Sequence, residues 1–337
     1  MARERGIVLI MVLWALMVLM VLAAELARSA HIEGLSTDVN QREVITYYLA
    51  TAGLNRALYR ILQAQQQGQN MLTPGRAFSG GLQDLQQSSD PNETMDGWVR
   101  GDGRWRRENF GAGGYWVRVL DEDGKLNLNQ VEETTLRQVF TNIGFDLDRG
   151  QELTDVILDW RDDDQLVRLH GAESDYYLSL PVPYPAKDGP FTTVDELLLL
   201  RGVTGALYYG REGPALRDLF TVYSGSGGGN VNLLTANPLV LQAVLGIDTQ
   251  TAHDLVRQRS EASEANLAGL FPGGGAGGTV NLGIPQVVTI ESVGFLPESE
   301  VTRRVAAVIQ RTGNGFQFLR WQDRVDGGEM PASGEEE

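Results

Sequence analysis

The sequence contains no cysteine among its 337 residues. Disulfide bonds, thiolate nucleophiles and cysteine-ligated zinc or iron–sulfur sites are therefore excluded within this chain. Basic residues are also scarce, with 28 Lys and Arg against 44 Asp and Glu, for a net charge of −16. Because sequence-independent nucleic-acid binding depends on Lys and Arg neutralising phosphates, this balance argues against such binding. The length and the 42% hydrophobic content predict about two domains with hydrophobic cores.

An uncharged apolar run near the N-terminus is the clearest local feature. It extends from Ile7 to Ala24, and as a helix it would span about 27 Å, which nearly crosses a bilayer. Arg3 and Arg5 precede it, so the positive-inside rule predicts a cytoplasmic N-terminus and an exported C-terminal part. We therefore predict one transmembrane helix over residues 7–27. A removable signal peptide is the alternative, although an Ala-x-Ala cleavage site is poorly met.

The junction before this run resembles the leader of type IV pilins and pseudopilins. Arg5-Gly6 is followed directly by Ile7 and the apolar run. The resemblance implies a leader over residues 1–6, which a membrane prepilin peptidase cuts after Gly6 before it methylates the new N-terminal residue, Ile7. A glycine suits this position because it lets the backbone approach a protease closely.

Helical signals continue beyond the run without a proline until Pro74. Apolar residues recur there at three- and four-residue steps, which predicts one long N-terminal helix, half in lipid and half packed on a head. Pilins of this type carry Glu at the fifth residue after the cleaved Gly, and that position is Met11. In the family this Glu neutralises the buried N-terminal amine of the subunit above it. Its absence implies a filament tip, an exception represented by the minor pseudopilin K family of type II secretion systems.

Strand and loop signals organise the remainder of the chain. Residues 63–97 are rich in Gln, Gly, Ser and Asn, which predicts a loop-dominated connection. Strand patterns occur at Trp98–Arg100, Tyr115–Val119, Val287–Val293, Val301–Ile309 and Phe316–Trp321. Mainly helical patterns separate the two groups of strands. We therefore predict an α+β fold with a pilin-like head and antiparallel sheet (28–125 and 284–325), a helical insertion (126–283) and a disordered tail (326–337).

The predicted insertion contains an internal echo. The segment that begins at Leu126 is similar to the one that begins at Val231, and two helical patterns follow each. Val231 to Pro238 also resembles the opening of helix-hairpin-helix and SAM-like modules, so we predict two SAM-like modules. Such hairpins often hold DNA, but Asp248 lies where a phosphate site needs backbone amides and no anion. A structural or protein-contact role is therefore favoured.

An acidic segment after the first pair of helical patterns is the candidate metal site. Its carboxylates would repel one another unless they are solvated or bound to a cation, and Ca²⁺ accepts about six to eight oxygen ligands. We predict that Asp162, Asp164 and Glu173 converge on one ion, with Asp159, Asp175 or backbone carbonyls completing the shell. The EF-hand spacing is absent, and a solvated acidic loop or a helix-capping cluster remains the alternative.

Around this segment the resemblance to the minor pseudopilin K family is strongest. The matching runs are Asp159–Asp164, Gly171–Glu173 with Tyr176-Tyr177, and Pro190–Leu197. The resemblance implies an inner-membrane protein with a periplasmic head, calcium binding, and a place at the pseudopilus tip with minor pseudopilins I and J, built on the inner-membrane assembly platform. Metal ligands carry over to Asp162, Asp164 and Glu173, and less firmly to Asp159 and Asp175. The disulfide found in some family members cannot form here.

The sequence shows no catalytic constellation, so we predict a protein without enzymatic activity. The three histidines are scattered, and Gly225-Ser226-Gly227 lacks the strand and helix that flank a nucleophile elbow. No P-loop, zinc motif or dinucleotide fingerprint is present. The resulting hypothesis is a minor pseudopilin that initiates and caps a type II secretion pseudopilus for export of folded periplasmic proteins. The alternatives are a type IV pilus tip pilin or adhesin, and a membrane-anchored helix-hairpin-helix DNA receptor.

Overall fold

The structure is a computed structural model that describes residues 2–71, 101–211, 213–223, 231–261, 280–281, 285–313 and 315–325. Its helices and strands alternate in an α+β arrangement. In chain order they are α1 (Ala2–Met71), β1 (Arg106–Phe110), β2 (Gly113–Asp121), β3 (Leu126–Asn127), α2 (Glu133–Ile143), α3 (Leu147–Arg161), α4 (Ser174–Leu178), a 3₁₀ helix (Val194–Leu199), α5 (Gly205–Tyr209), α6 (Leu216–Leu219), β4 (Phe220–Thr221), β5 (Val231–Asn232), α7 (Pro238–Leu245), α8 (Thr249–Glu261), β6 (Val280–Asn281), β7 (Val287–Phe295), β8 (Arg303–Thr312) and β9 (Gly315–Gln322).

The N-terminal helix α1 is continuous over 70 residues. Its stretch Met11–Ser29 is long and apolar enough to cross a membrane, with a mean hydropathy of 2.0. The prediction of a loop from residue 63 is wrong for residues 63–71, which continue α1. Gln and Ala are good helix formers, and they dominate this stretch. The rest of the predicted loop, the predicted strand Trp98–Arg100 and the tail 326–337 lie outside the described residues.

A five-stranded antiparallel sheet packs on the second half of α1. Its order is β1-β2-β7-β8-β9, so β2 pairs with a strand that follows it by more than 160 residues. This confirms the predicted antiparallel sheet that is split in sequence. The first strand, β1, was missed because its residues RRENF carry no apolar alternation, and its pairing with β2 through a tight hairpin holds it in place.

The core of this half forms between α1 and one face of the sheet. Ala50, Leu54, Ala57 and Ile61 are buried on α1 at helical spacing. They contact the inward-facing strand residues Tyr115, Val117, Val119, Val288, Ile290, Val305, Ala307 and Ile309. Two glycines allow the close approach. A Cβ on Gly53 would overlap Ser292 Oγ, and one on Gly294 would overlap the Thr46 carbonyl.

These contacts fix the direction of the sheet relative to the candidate membrane span. Along β7, Gly294 lies beside Thr46 of α1, whereas Ser292 lies beside Gly53, farther from the span. The opposite end of the sheet, where Asp121 pairs with Val288, therefore points away from the span. The chain leaves the sheet after Asp121 and returns just before Val287. Helices α2 to α8 lie between these two points, and we call this part of the chain the helical region. The helical region is thus attached at the membrane-distal end of the sheet.

The helical region has a hydrophobic core of its own, centred on Leu136, Phe140, Leu153, Ile157, Tyr177, Leu216, Phe220 and Leu241. The sequence echo has a structural counterpart in it. In the first copy Asn127 Oδ1 accepts a hydrogen bond from Asn129 N, and in the second Asn232 Oδ1 accepts one from Leu234 N. Each asparagine lies in a two-residue strand in a parallel pair, β3 with β4 and β5 with β6.

An arginine completes each copy in the same way. Arg161 at the end of α3 donates to the Leu128 carbonyl at 2.6 Å, and Arg259 near the end of α8 donates to the Leu233 carbonyl at 2.8 Å. Each leucine directly follows the asparagine of its copy. The two copies therefore share a turn held by Asn and a half-buried Arg that donates to the following carbonyl, which supports the predicted duplication.

A buried ion pair joins the sheet to the helical region. Glu122, directly after β2, accepts hydrogen bonds from Lys125 Nζ at 2.6 Å, from Thr221 Oγ1 at 2.6 Å and from Thr289 Oγ1 at 2.7 Å. Lys125 holds the pKa of Glu122 below its usual range despite burial, which alone would raise it. Because Thr289 belongs to β7 and Thr221 to β4, Glu122 ties both parts of the fold together.

Candidate metal centre and helix interface

The acidic segment begins where α3 ends. Asp146 caps the N-terminus of α3 by accepting a hydrogen bond from Arg149 N at 2.8 Å. The last turn buries Trp160, and Asp162 follows as the C-terminal cap, where its N–H donates to the Leu158 carbonyl at 3.1 Å. Asp162 therefore projects from a fixed helix end.

Three of the predicted ligands converge. Asp162, Asp164 and Glu173 each place one carboxylate oxygen within 4.8 Å of the others. Glu173 is buried, and neither of its carboxylate oxygens has a hydrogen-bond partner within the described part of the chain. Asp162 Oδ1 is also buried without a hydrogen bond. Buried carboxylate oxygens without donors are costly, and an all-oxygen set suits a hard cation such as Ca²⁺. We call these three residues the carboxylate cluster.

The electrostatics of the carboxylate cluster also favour a cation. Burial, followed by repulsion from Asp159 and Asp162, raises the pKa of Glu173 to about 7. Burial and then repulsion from Asp164 raise the pKa of Asp162, although Arg168 acts in the opposite direction. A divalent cation would supply the opposite charge that these carboxylates lack.

The other two predicted ligands lie outside this group. Asp159 is fully buried, and its partner is Arg168, whose Nε lies 3.2 Å from Oδ1 and whose backbone N–H donates to Oδ2 at 3.2 Å. It therefore holds the loop that follows α3. Asp175 is exposed in the first turn of α4. Neither residue belongs to the three whose oxygens converge.

Asp188 also lies near the carboxylate cluster, although the sequence did not indicate it as a ligand. Its Oδ1 is buried without a hydrogen bond, and its Oδ2 accepts one from Gln165 Nε2 at 2.6 Å. Its charge contributes to the raised pKa of Glu173. Asp188 has a φ of 50°, an uncommon value outside glycine. The only sequence signal was an acidic residue in the Lys-Asp-Gly turn, about 15 residues beyond Glu173 and outside the acidic run.

Gly171 explains why the Gly-Ala-Glu run requires a glycine. A Cβ at this position would overlap the carboxylate of Asp159. The close approach lets the Gly171 N–H donate to the Arg168 carbonyl at 3.0 Å, which closes the loop before Glu173. The glycine therefore serves the backbone path that brings Glu173 back toward Asp162.

The Pro190–Leu197 run braces the same region. Thr193 and Glu196 form a capping box at the start of the 3₁₀ helix. Lys187 Nζ lies 2.8 Å from Glu196 Oε1, and Phe191 exchanges two hydrogen bonds with the side chain of Asn129. This run thus connects the first asparagine turn to the segment that carries Asp188.

The predicted leader and tip positions lie on α1. Gly6 and Ile7 are within its helical backbone, and Met11 is 67% exposed. Beyond the span, Val44, Tyr48 and Tyr59 remain exposed. At about 100° per residue they fall within roughly 60° of one another, on the side of α1 opposite its buried alanines. The ring of Tyr48 also meets that of Tyr47 on the same helix edge-on, at 5.5 Å between centroids. We call Val44, Tyr48 and Tyr59 the open stripe.

Two arginines of α8 and two of the histidines bear on the DNA-binding and catalytic alternatives. The arginines already bond to protein groups, and the histidines lie on different elements. The half-buried Arg259 donates to the Leu233 carbonyl, and Arg257 pairs with Asp254 at 2.7 Å. His170 lies 3.4 Å from Asp155, and His253 is exposed on α8. The stretch Gly225-Ser226-Gly227 lies outside the described residues.

Comparison with known proteins gives consistent matches. The family model described as type II secretion system (T2SS), protein K, matches residues 117–211, which include the carboxylate cluster. A type II secretion system protein K from Klebsiella pneumoniae is 28% identical over 221 residues, covering 61% of this chain and 60% of the relative. One from Pectobacterium carotovorum subsp. carotovorum is 26% identical over 209 residues, covering 61% of each. The chain thus aligns with about three fifths of the length of these relatives.

The fold also has a counterpart among solved structures. A chain of the GspK-GspI-GspJ complex from the enterotoxigenic Escherichia coli type 2 secretion system superposes with a TM-score of 0.57 at 15% identity. The superposition covers 88% of this chain and 100% of that one. At this identity the likeness concerns the fold. The family-model match, the two relatives and this fold likeness all indicate similarity to type II secretion system protein K, as the sequence resemblance predicted.

Proposed function

We propose that this protein is a minor pseudopilin that occupies the tip of a type II secretion pseudopilus and initiates its assembly with minor pseudopilins I and J. The observation that carries the proposal is the attachment of the helical region to the membrane-distal end of the sheet. A filament grows by adding subunits whose N-terminal helices pack side by side. A bulky region at the distal end of one subunit would block a further subunit above it.

The N-terminal helix supports the same role. Met11 stands where filament-body subunits carry Glu, and a subunit with nothing above it has no buried amine to neutralise. The open stripe offers apolar and aromatic side chains for contact with neighbouring helices. The match to a chain of a GspK-GspI-GspJ complex makes I- and J-type pseudopilins the partners to test first.

Processing, location and metal binding complete the proposal. A prepilin peptidase cuts between Gly6 and Ile7 and methylates Ile7. The mature protein then spans the inner membrane once, with its N-terminus in the cytoplasm and its head in the periplasm, and joins the inner-membrane assembly platform. The carboxylate cluster binds one Ca²⁺ with the help of Asp188, and the ion fixes the loop between Asp164 and Glu173. The role is assembly without catalysis.

Analytical ultracentrifugation tests the partner assignment. The full chain in detergent is mixed with I-type and J-type pseudopilins, alone and together. The proposal expects a ternary complex with one copy of each subunit. Replacing Tyr48 with Asp should weaken it at least tenfold, whereas Leu147→Asp, exposed on α3, should not. Failure of the wild-type chain to associate with either partner would overturn the assignment.

A further inference from the structure

A second surface on the helical region exposes aliphatic side chains. Eight of the fourteen large hydrophobic residues that are exposed outside α1, within the described residues, fall between positions 166 and 199. The most exposed are Leu169 at 89%, Val182 at 78% and Leu166 at 77%. Isolated exposed hydrophobics are ordinary, but a concentration of them on one region is typical of interaction sites. We call the residues Leu166, Val167, Leu169, Leu178 and Val182 the apolar patch.

Contacts beneath the apolar patch join its parts. Arg201 donates to the His170 carbonyl, next to Leu169, and its guanidinium lies 5.2 Å from the ring of Tyr176. Tyr177 stacks on Tyr184 at 5.4 Å, which links the segment of Leu178 to the segment of Val182. These contacts connect the loop that carries Leu169 to the segments that carry Leu178 and Val182.

The charge around the apolar patch is negative. Asp163 and Asp175 are exposed, three residues before Leu166 and Leu178 respectively, and form no ion pair with any described residue. The neighbouring cations are already engaged, Arg168 with Asp159 and Asp162, and Arg201 with Glu152 at 3.4 Å. Asp163 and Asp175 lie outside the carboxylate cluster, so their charge stays when an ion binds there. A complementary partner surface must therefore have an apolar centre with positively charged residues around it.

Position and charge exclude two other occupants. The helical region is attached at the membrane-distal end of the sheet, so the bilayer that holds the protein's own span lies on the opposite side. A second copy of this chain would bring like charges together, since the same acidic residues would face each other. We propose that the apolar patch docks another protein, through a segment that presents aliphatic side chains with Lys or Arg beside them.

Photo-crosslinking of the full chain in its native membrane tests this inference. The changes Leu169→p-benzoylphenylalanine and Val182→p-benzoylphenylalanine place the reactive group on the apolar patch. Leu147→p-benzoylphenylalanine is the control, since Leu147 on α3 is also largely exposed, at 70%. The inference expects the same protein adduct from positions 169 and 182 and little from 147. The crosslinked peptide, sequenced by mass spectrometry, should carry aliphatic residues and a net positive charge.

Charge-reversal variants test whether the acidic residues beside the apolar patch contribute to docking. Asp163→Lys with Asp175→Lys should lower the adduct yield at least fivefold, whereas Asp148→Lys, on the exposed first turn of α3, should leave it unchanged. Adducts with lipid, with a second copy of this chain or with an acidic peptide would overturn the inference. Equal yields from position 147, or no protein adduct, would overturn it as well.

Discussion

Asp121 at the end of β2 accepts a hydrogen bond from Asn232 Nδ2 at 2.8 Å, across 111 residues of chain. The same carboxylate accepts one from Thr235 Oγ1 at 2.7 Å and one from Asp123 N at 2.8 Å. Asn232 is also the residue that shapes the second asparagine turn. The sheet is therefore connected directly to the turn that opens the second copy of the repeat.

This joint predicts a specific dependence of stability on pH. Burial raises the pKa of Asp121 to about 7, above the usual value of 3.8 for an exposed aspartate, despite its three hydrogen-bond donors. Between these two values the folded state binds a proton that the unfolded state does not, so the Asp121 contribution to stability falls as pH rises. Asp121→Asn removes this titration. In urea unfolding of the full chain in detergent, the free energy of unfolding of the variant should increase relative to that of the wild type as the pH rises from 5 to 8.

Asp148→Asn on the exposed start of α3 is the control for the pH experiment and should keep a constant offset from the wild type. If the difference between Asp121→Asn and wild type stayed constant from pH 5 to pH 8, or moved in the other direction, the joint would not titrate as described.

Gly171 predicts a large effect from a single methyl group. In Gly171→Ala the new Cβ would overlap the Asp159 carboxylate, so the loop must shift. We expect a loss of about 2 kcal/mol in the free energy of unfolding, measured by denaturant midpoint. Gly205→Ala is the matched control because no atom lies within 4 Å of its added Cβ. That variant should be neutral or slightly stabilised. Equal effects of both changes would contradict the packing described at Gly171.

Calcium binding should depend on the residues that converge. Isothermal titration calorimetry on the full chain is expected to show binding by the wild type and at least tenfold weaker binding by Asp164→Ala. Asp163→Asn, one position away but outside the carboxylate cluster, should bind like the wild type. Calcium should also raise the melting temperature of the wild type, because an ion that binds only the folded state stabilises it. Unchanged binding by Asp164→Ala would remove that residue from the site.

Much of this architecture follows from local patterns, and the rest depends on long-range contacts. The apolar run, the period of the buried residues on α1 and the alternation in β7 to β9 were sufficient to predict a long helix and a split sheet. Asp162, Asp164 and Glu173 were found because they lie close in sequence in an acidic run. Asp188 was missed because its approach depends on the path of the chain through Pro190–Leu197. β1 was missed because its sequence has no strand pattern and it becomes a strand only by pairing with β2.

Processing of the leader should be visible in the intact mass. The mature protein purified from membranes is expected to begin at Ile7 and to carry one methyl group on its N-terminus. Replacing Gly6 with Val should leave the leader attached, because a branched side chain keeps the backbone from approaching the peptidase. A wild-type protein that retains Met1–Gly6, or that begins beyond the span, would contradict the predicted leader.

The position of this subunit in the filament is the central claim, and epitope labelling tests it most directly. Pseudopili are assembled with an epitope inserted after Gly189 of this chain, in an irregular loop of the helical region, and are examined by immunogold electron microscopy. The account predicts label at one end of each filament and none along the shaft. Label distributed along the shaft would show that subunits are added above this one, and it would contradict the tip assignment.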